Sequence, residues 1–174
     1  MKSNNAIFHI VILSILTLLS ACSKGQQEIN SNSGMAQTPT TERPLVVYKS
    51  PTCGCCEEWI HHLESSGFSA EIKHPADLNQ VKSEYRISPA YQSCHTAISE
   101  EGYVFEGHIP AKHIRQFLGN PPTNAIGLAV PGMPPGSPGM EMGDRFSPYQ
   151  VLLLKKDGSH EVYATVERQE EQYQ

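Results

Sequence analysis

Three of the five cysteines stand within four residues, Cys53-Gly54-Cys55-Cys56. That crowding restricts the chain more than any other feature, because few backbone settings can use sulfurs so close together. The run follows the short apolar strand Leu45-Val46-Val47-Tyr48 and the turn Ser50-Pro51-Thr52. It leads into a helical period in which Cys56, Trp59, Ile60 and Leu63 fall at i, i+3, i+4 and i+7. The cysteines are therefore expected where a strand hands over to the first turn of a helix. There, unpaired N–H groups and the positive end of the helix dipole favour thiolate over thiol. Thiolate is both the nucleophile of disulfide exchange and a soft metal ligand.

The rest of the chain extends this start. Gly67 is expected to end the helix, and Phe68–Ile72 alternates as a second strand. Asp77 can cap a helix carrying Leu78, Val81 and Tyr85. Thr96–Ile98 and Tyr103–Phe105 flank the turn Glu100-Glu101-Gly102. Pro110 opens a helix with Ile114, Phe117 and Leu118, closed by Gly119-Asn120-Pro121-Pro122. Val151–Leu154 and Val162–Val166 flank Asp157-Gly158, a strong hairpin signal. The order β-α-β-α-β-β-α predicts an α/β, thioredoxin-like single domain with an added C-terminal β-hairpin. A length of 174 residues suits one such domain, at about 100–200 residues each.

The chain begins with Lys2 and the apolar run Ala6–Leu19, the pattern of a secretory signal. Leu19-Ser20-Ala21-Cys22 resembles the bacterial lipobox, where cleavage precedes a cysteine whose thiol is lipidated. An ordinary signal peptide cleaved nearby is the alternative. Ser23 resembles the sorting residue of an outer-membrane lipoprotein. The expected division is a signal peptide over 1–21, a lipid-anchored flexible linker over 22–43, a metal-binding domain over 44–167 and a polar tail over 168–174. The domain would face the periplasm of a Gram-negative cell. A formal charge of −5 speaks against a nucleic-acid partner, which calls for a basic face.

Cys53 and Cys56 form a C-x-x-C pair, and Cys94 adds a fourth sulfur from a distant segment beside the first helix. A disulfide staple would suit an exported domain. Structural zinc usually takes two well-spread C-x-x-C pairs rather than one pair and a vicinal thiol. Crowded thiolates suit Cu(I), which accepts soft ligands and bridging sulfurs. The segment 131–143, Pro-Gly-Met-Pro-Pro-Gly-Ser-Pro-Gly-Met-Glu-Met-Gly, adds Met133 and Met140, whose thioethers bind Cu(I) without losing a proton. The competing reading is a stiff loop whose methionines cover apolar surface. His95 and His108 are further candidate ligands. His61, His62 and His113 are expected to face solvent.

The motifs SPTCGCCEEW, SCHTAI, GYVFEGHIP, GLAVPGMPPGSPGME and PYQVLLLKKDG occur in that order. Together they resemble the exported metal-binding proteins of the CopG type, over about Val46 to Val166. The resemblance implies a thioredoxin-like fold, a role in copper resistance, and copper bound through cysteines with a change of redox state. It makes Cys53, Cys55, Cys56 and Cys94 the metal thiolates, with Met133, Met140, His95 and His108 as additional ligands. Cys53 and Cys56 would be the catalytic pair of any redox step. Copper as Cu(I), extending to a multinuclear thiolate cluster, is the implied cofactor, and periplasmic copper donors or acceptors are the implied partners. The lipobox is a departure from the soluble periplasmic members expected of this family. The alternatives are a metal-free thiol–disulfide oxidoreductase using Cys53 and Cys56, and a purely structural lipoprotein.

Overall fold

β1 (Leu45–Lys49) is the hub of the fold, pairing parallel with β2 (Ala70–Lys73) and antiparallel with β3 (His95–Ile98). The structure is a computed structural model that describes residues 44–173. The expectations for the signal peptide, Cys22 and the whole linker lie outside these residues. β3 pairs antiparallel with β4 (Val104–Glu106), and β4 parallel with β5 (Ala125–Ala129). β6 (Tyr149–Lys155) and β7 (His160–Val166) complete a mixed seven-stranded sheet of order β2-β1-β3-β4-β5-β6-β7. Three α-helices accompany it: α1 (Gly54–Ser65), α2 (Leu78–Glu84) and α3 (Ala111–Gly119). Among the described residues no helix is long and apolar enough to cross a membrane.

Period decides burial in each element. In α1 the buried positions are Cys56, Trp59, Ile60 and Leu63, the stripe the spacing predicts. Trp59, Ile60 and Leu63, with Ile114 and Phe117 of α3, pack on Leu45, Val47, Ala97, Phe105 and Leu128 of the sheet. Alternation along the strands sends Ile98 and Val104 to the opposite face, where they meet Ile87 and Tyr85 beside α2. Asp77 caps α2 as expected, accepting from Asn79 N at 2.8 Å and Gln80 N at 3.4 Å.

β5 is an element that the sequence reading missed. Its centre is Gly127 at φ +155°, where a Cβ would fall 1.8 Å from Val104 O. Only glycine lets the two backbones come so close, and a strand built on alanine and glycine carries little β signal. Residues 168–174, expected as a tail, include a 3-10 turn over Gln169–Gln172. Its Gln172 is buried.

Candidate metal centre

The strand-to-helix junction places the sulfurs. Cys53 stands at the N-cap of α1 with extended backbone and no side-chain cap. Cys55 and Cys56 lie in the first turn, whose leading N–H groups have no carbonyl one turn back. Cys94 comes from the segment just before β3, so the β1–β3 pairing carries it to the same end of the sheet. Cys53 and Cys56 are joined as a disulfide, and Cys55 and Cys94 are free. Cys53 Sγ lies 3.6 Å from Cys55 Sγ, and Cys94 Sγ lies 3.5 Å from Cys56 Sγ and 3.9 Å from Cys55 Sγ. All four sulfurs fall within 4.8 Å of one another.

Imidazoles close the other side. His108 Nε2 is 3.1 Å and His95 Nδ1 is 3.3 Å from Cys94 Sγ. His108 Nδ1 lies 2.8 Å from Pro138 O, an acceptor only, so Nδ1 carries the proton and Nε2 presents its lone pair to the sulfur. His95 is fully buried, its ring 4.2 Å from that of Trp59, and its Nε2 has no hydrogen-bond partner. Trp59 is held in turn by its Nε1–H, which donates to Ile109 O at 2.9 Å.

Burial sets the protonation of these groups. It pushes the Cys94 thiol up to about 12, with the neighbouring Cys55 adding to the rise and the Ser93 hydroxyl opposing it. Burial also holds His108 below the ordinary imidazole range and His95 well below it, the latter reinforced by His108 and Lys82. Both rings are therefore neutral near pH 7, as metal-binding imidazoles must be. Once the Cys53–Cys56 disulfide is reduced, four soft sulfurs beside the neutral nitrogens His95 Nδ1 and His108 Nε2 make a donor set that fits a soft metal ion.

The Pro/Gly/Met loop frames this cluster through two glycines. Gly132 accepts from Ser93 Oγ and donates its N–H to Gln92 O at 3.2 Å. Gly139 sits against α1, where a Cβ would come 2.6 Å from both Cys55 O and Trp59 N. Met133 and Met140 each follow one of these anchors. Met140 is half-buried, whereas Met133 is 51% exposed.

The geometry thus brings together Cys53, Cys55, Cys56, Cys94, His95 and His108, and it anchors the backbone just before each methionine, Gly132 at Ser93 and Gly139 at α1. His61 is exposed, as expected. His62 is half-buried and accepts from Ala111 N at 3.0 Å. His113 does not face solvent: it is buried, because it lies four residues before Phe117 on the apolar stripe of α3. The sequence reading also missed Ser93, Lys82 and Glu106, which lie behind Cys94.

The family described as "Protein of unknown function, DUF411" matches residues 91–140. No curated protein matches the chain. Among solved structures, the chain is similar to "Copper resistance protein copG- Form 2", at 41% identity and a TM-score of 0.68. That match covers 72% of this chain and 98% of the other. The similarity to "Copper resistance protein copG- Form 1" has the same identity and TM-score, over 73% and 99% of the two chains. With two fifths of the residues shared over nearly the whole of those proteins, the chain belongs to the CopG-type copper-resistance family.

Proposed function

We propose that this protein binds copper, chiefly as Cu(I), on Cys53, Cys55, Cys56 and Cys94, and so contributes to copper resistance. The observation that carries this reading is the convergence of four sulfurs within 4.8 Å, two of them from adjacent residues. Sulfurs at that density suit an ion that tolerates bridging thiolates, and the names of the similar solved structures point to copper. His95, His108, Met133 and Met140 would complete the ligand set. The parallel β1–α1–β2 unit, the antiparallel β3 and β4, and α3 after them support a thioredoxin-like reading of residues 44–167, extended by the β6–β7 hairpin. Residues 1–43 support a lipid anchor at Cys22 and a periplasm-facing site.

The disulfide between Cys53 and Cys56 supports a redox component. Two Cu(II) ions would each take one electron as the two thiols become the disulfide and release two protons. The alternative is storage: with the pair reduced, the four thiolates hold Cu(I) until it passes to a periplasmic acceptor.

An anaerobic titration of the reduced full chain with Cu(I), against a coloured competing chelator, tests the reading. Tight uptake is expected, and it should collapse in the Cys53→Ser/Cys56→Ser variant. Uptake no better than the chelator's would overturn it. Cys55→Ser separates the rival class, because a metal-free oxidoreductase keeps insulin-reducing activity without that sulfur while a copper site weakens. If the reduced chain leaves Cu(II) unreduced, the redox component falls and storage remains.

A further inference from the structure

Behind Cys94, on the face of the sheet covered by α2, lies a buried ion pair that the metal ligands do not use. Lys82 is 2% exposed and Glu106 is fully buried. The ammonium donates to Glu106 Oε1 and, at 2.9 Å, to Thr96 Oγ1. Thr96 Oγ1 donates to Glu106 Oε2 at 2.6 Å, and the backbone N–H of Ser93 donates to Oε1 at 2.6 Å. One carboxylate therefore grips the chain just before Cys94 and again two residues after it. The same strand end continues through Gly107, whose N–H donates to His95 O at 3.1 Å, into His108.

Such a pair is weak evidence of stabilisation. Removing two charges from water costs about as much as their attraction returns, and well-packed apolar replacements are often as stable. What apolar side chains cannot supply is an acceptor for the Ser93 N–H. That bond is the pair's distinctive output, and it bears on the segment holding Cys94.

We propose that Glu106, with its charge balanced by Lys82, is a positioning residue for the metal centre. Its carboxylate fixes the Ser93–Thr96 segment, and so sets Cys94 Sγ against His108 and the sulfurs at the start of α1. The link to copper rests on the function proposed above, whereas the positioning of Cys94 does not.

Two variants of the full chain test it. Lys82→Met/Glu106→Met removes both charges at similar volume. Glu106→Asp keeps the charge for Lys82 but draws it back from Ser93. Three quantities are read: the thermal midpoint, the rate of iodoacetamide alkylation at Cys94 in metal-free protein by peptide mass mapping, and Cu(I) affinity by chelator competition. The double variant leaves the Ser93 N–H without its acceptor, so its midpoint should fall, though by less than if one charge were left unpaired. In both variants Cys94 should react several-fold faster, and Cu(I) affinity should fall by roughly 10- to 100-fold, as when groups supporting metal ligands are lost. A lowered midpoint with unchanged alkylation and affinity makes the pair a plain structural element and overturns the inference. So do parental values throughout. If the double variant does not fold, Glu106→Asp gives the answer. If the parent takes up no Cu(I), the copper reading fails, and Cys94 alkylation alone decides the positioning role.

Discussion

Gly139 shows how much of this site hangs on single atoms. Its φ of +82° is in the left-handed region, and an added methyl would meet backbone atoms of Cys55 and Trp59 at 2.6 Å. Neither can retreat, since both belong to α1. Gly139→Ala should therefore push the loop away from the helix, destabilising the fold by about 1–3 kcal/mol. Urea denaturation would measure that loss, and alkylation of Cys55 should accelerate in step. Unchanged stability and reactivity would mean that the loop does not rest on the helix start. At this scale the four clustered sulfurs were legible, because three are fixed by local spacing and the fourth by strand pairing. Glu106 was not. Its partners Lys82 and Ser93 are 24 and 13 residues away, and a charged pair in a helix and a strand reads as solvated surface.

Among the elements, the C-terminal turn has a larger part than its polar composition suggests. Gln172 Nε2 donates to Gly136 O at 2.8 Å, and its Oε1 accepts from Tyr149 Oη at 2.5 Å. Tyr173 Oη donates to Glu141 Oε1 at 2.5 Å. The turn thus fastens the Met-bearing loop to β6. Gln172→Ala leaves a carbonyl and a phenol without partners, at a cost of about 1–3 kcal/mol each. Amide exchange at Gly136 and Met140, whose N–H groups bond within the loop, should quicken while exchange in α1 does not. Equal protection in the variant would remove the turn from this role. No periodicity announces such a strap. The helices and the sheet around β1 follow their hydrophobic spacing, whereas a buried glutamine in a charged terminal run depends on contacts with distant residues.

At the scale of the whole molecule, four histidines share one condition. Burial lowers His62, His108 and His113 below the ordinary value of 6.5, and His95 well below it. The unfolded chain takes up protons that the folded one refuses. Stability is therefore full above that value and declines as pH falls through it toward the folded values. Glu106, raised by burial, acts in the opposite sense at lower pH and offsets part of the loss. The thermal midpoint of the metal-free chain should drop between pH 7.5 and 5, and a midpoint that stays level would refute the assignment of these rings as neutral. The Pro/Gly/Met loop has a consequence of another kind. It holds four prolines and four glycines in thirteen residues, and three internal backbone hydrogen bonds of 2.7–3.1 Å close it on itself. Fixed proline torsions shrink the unfolded ensemble, so the entropy of arranging this segment is lost when the chain folds. A ligand that docks against this segment meets a backbone already arranged, and its capture has little further ordering to oppose it.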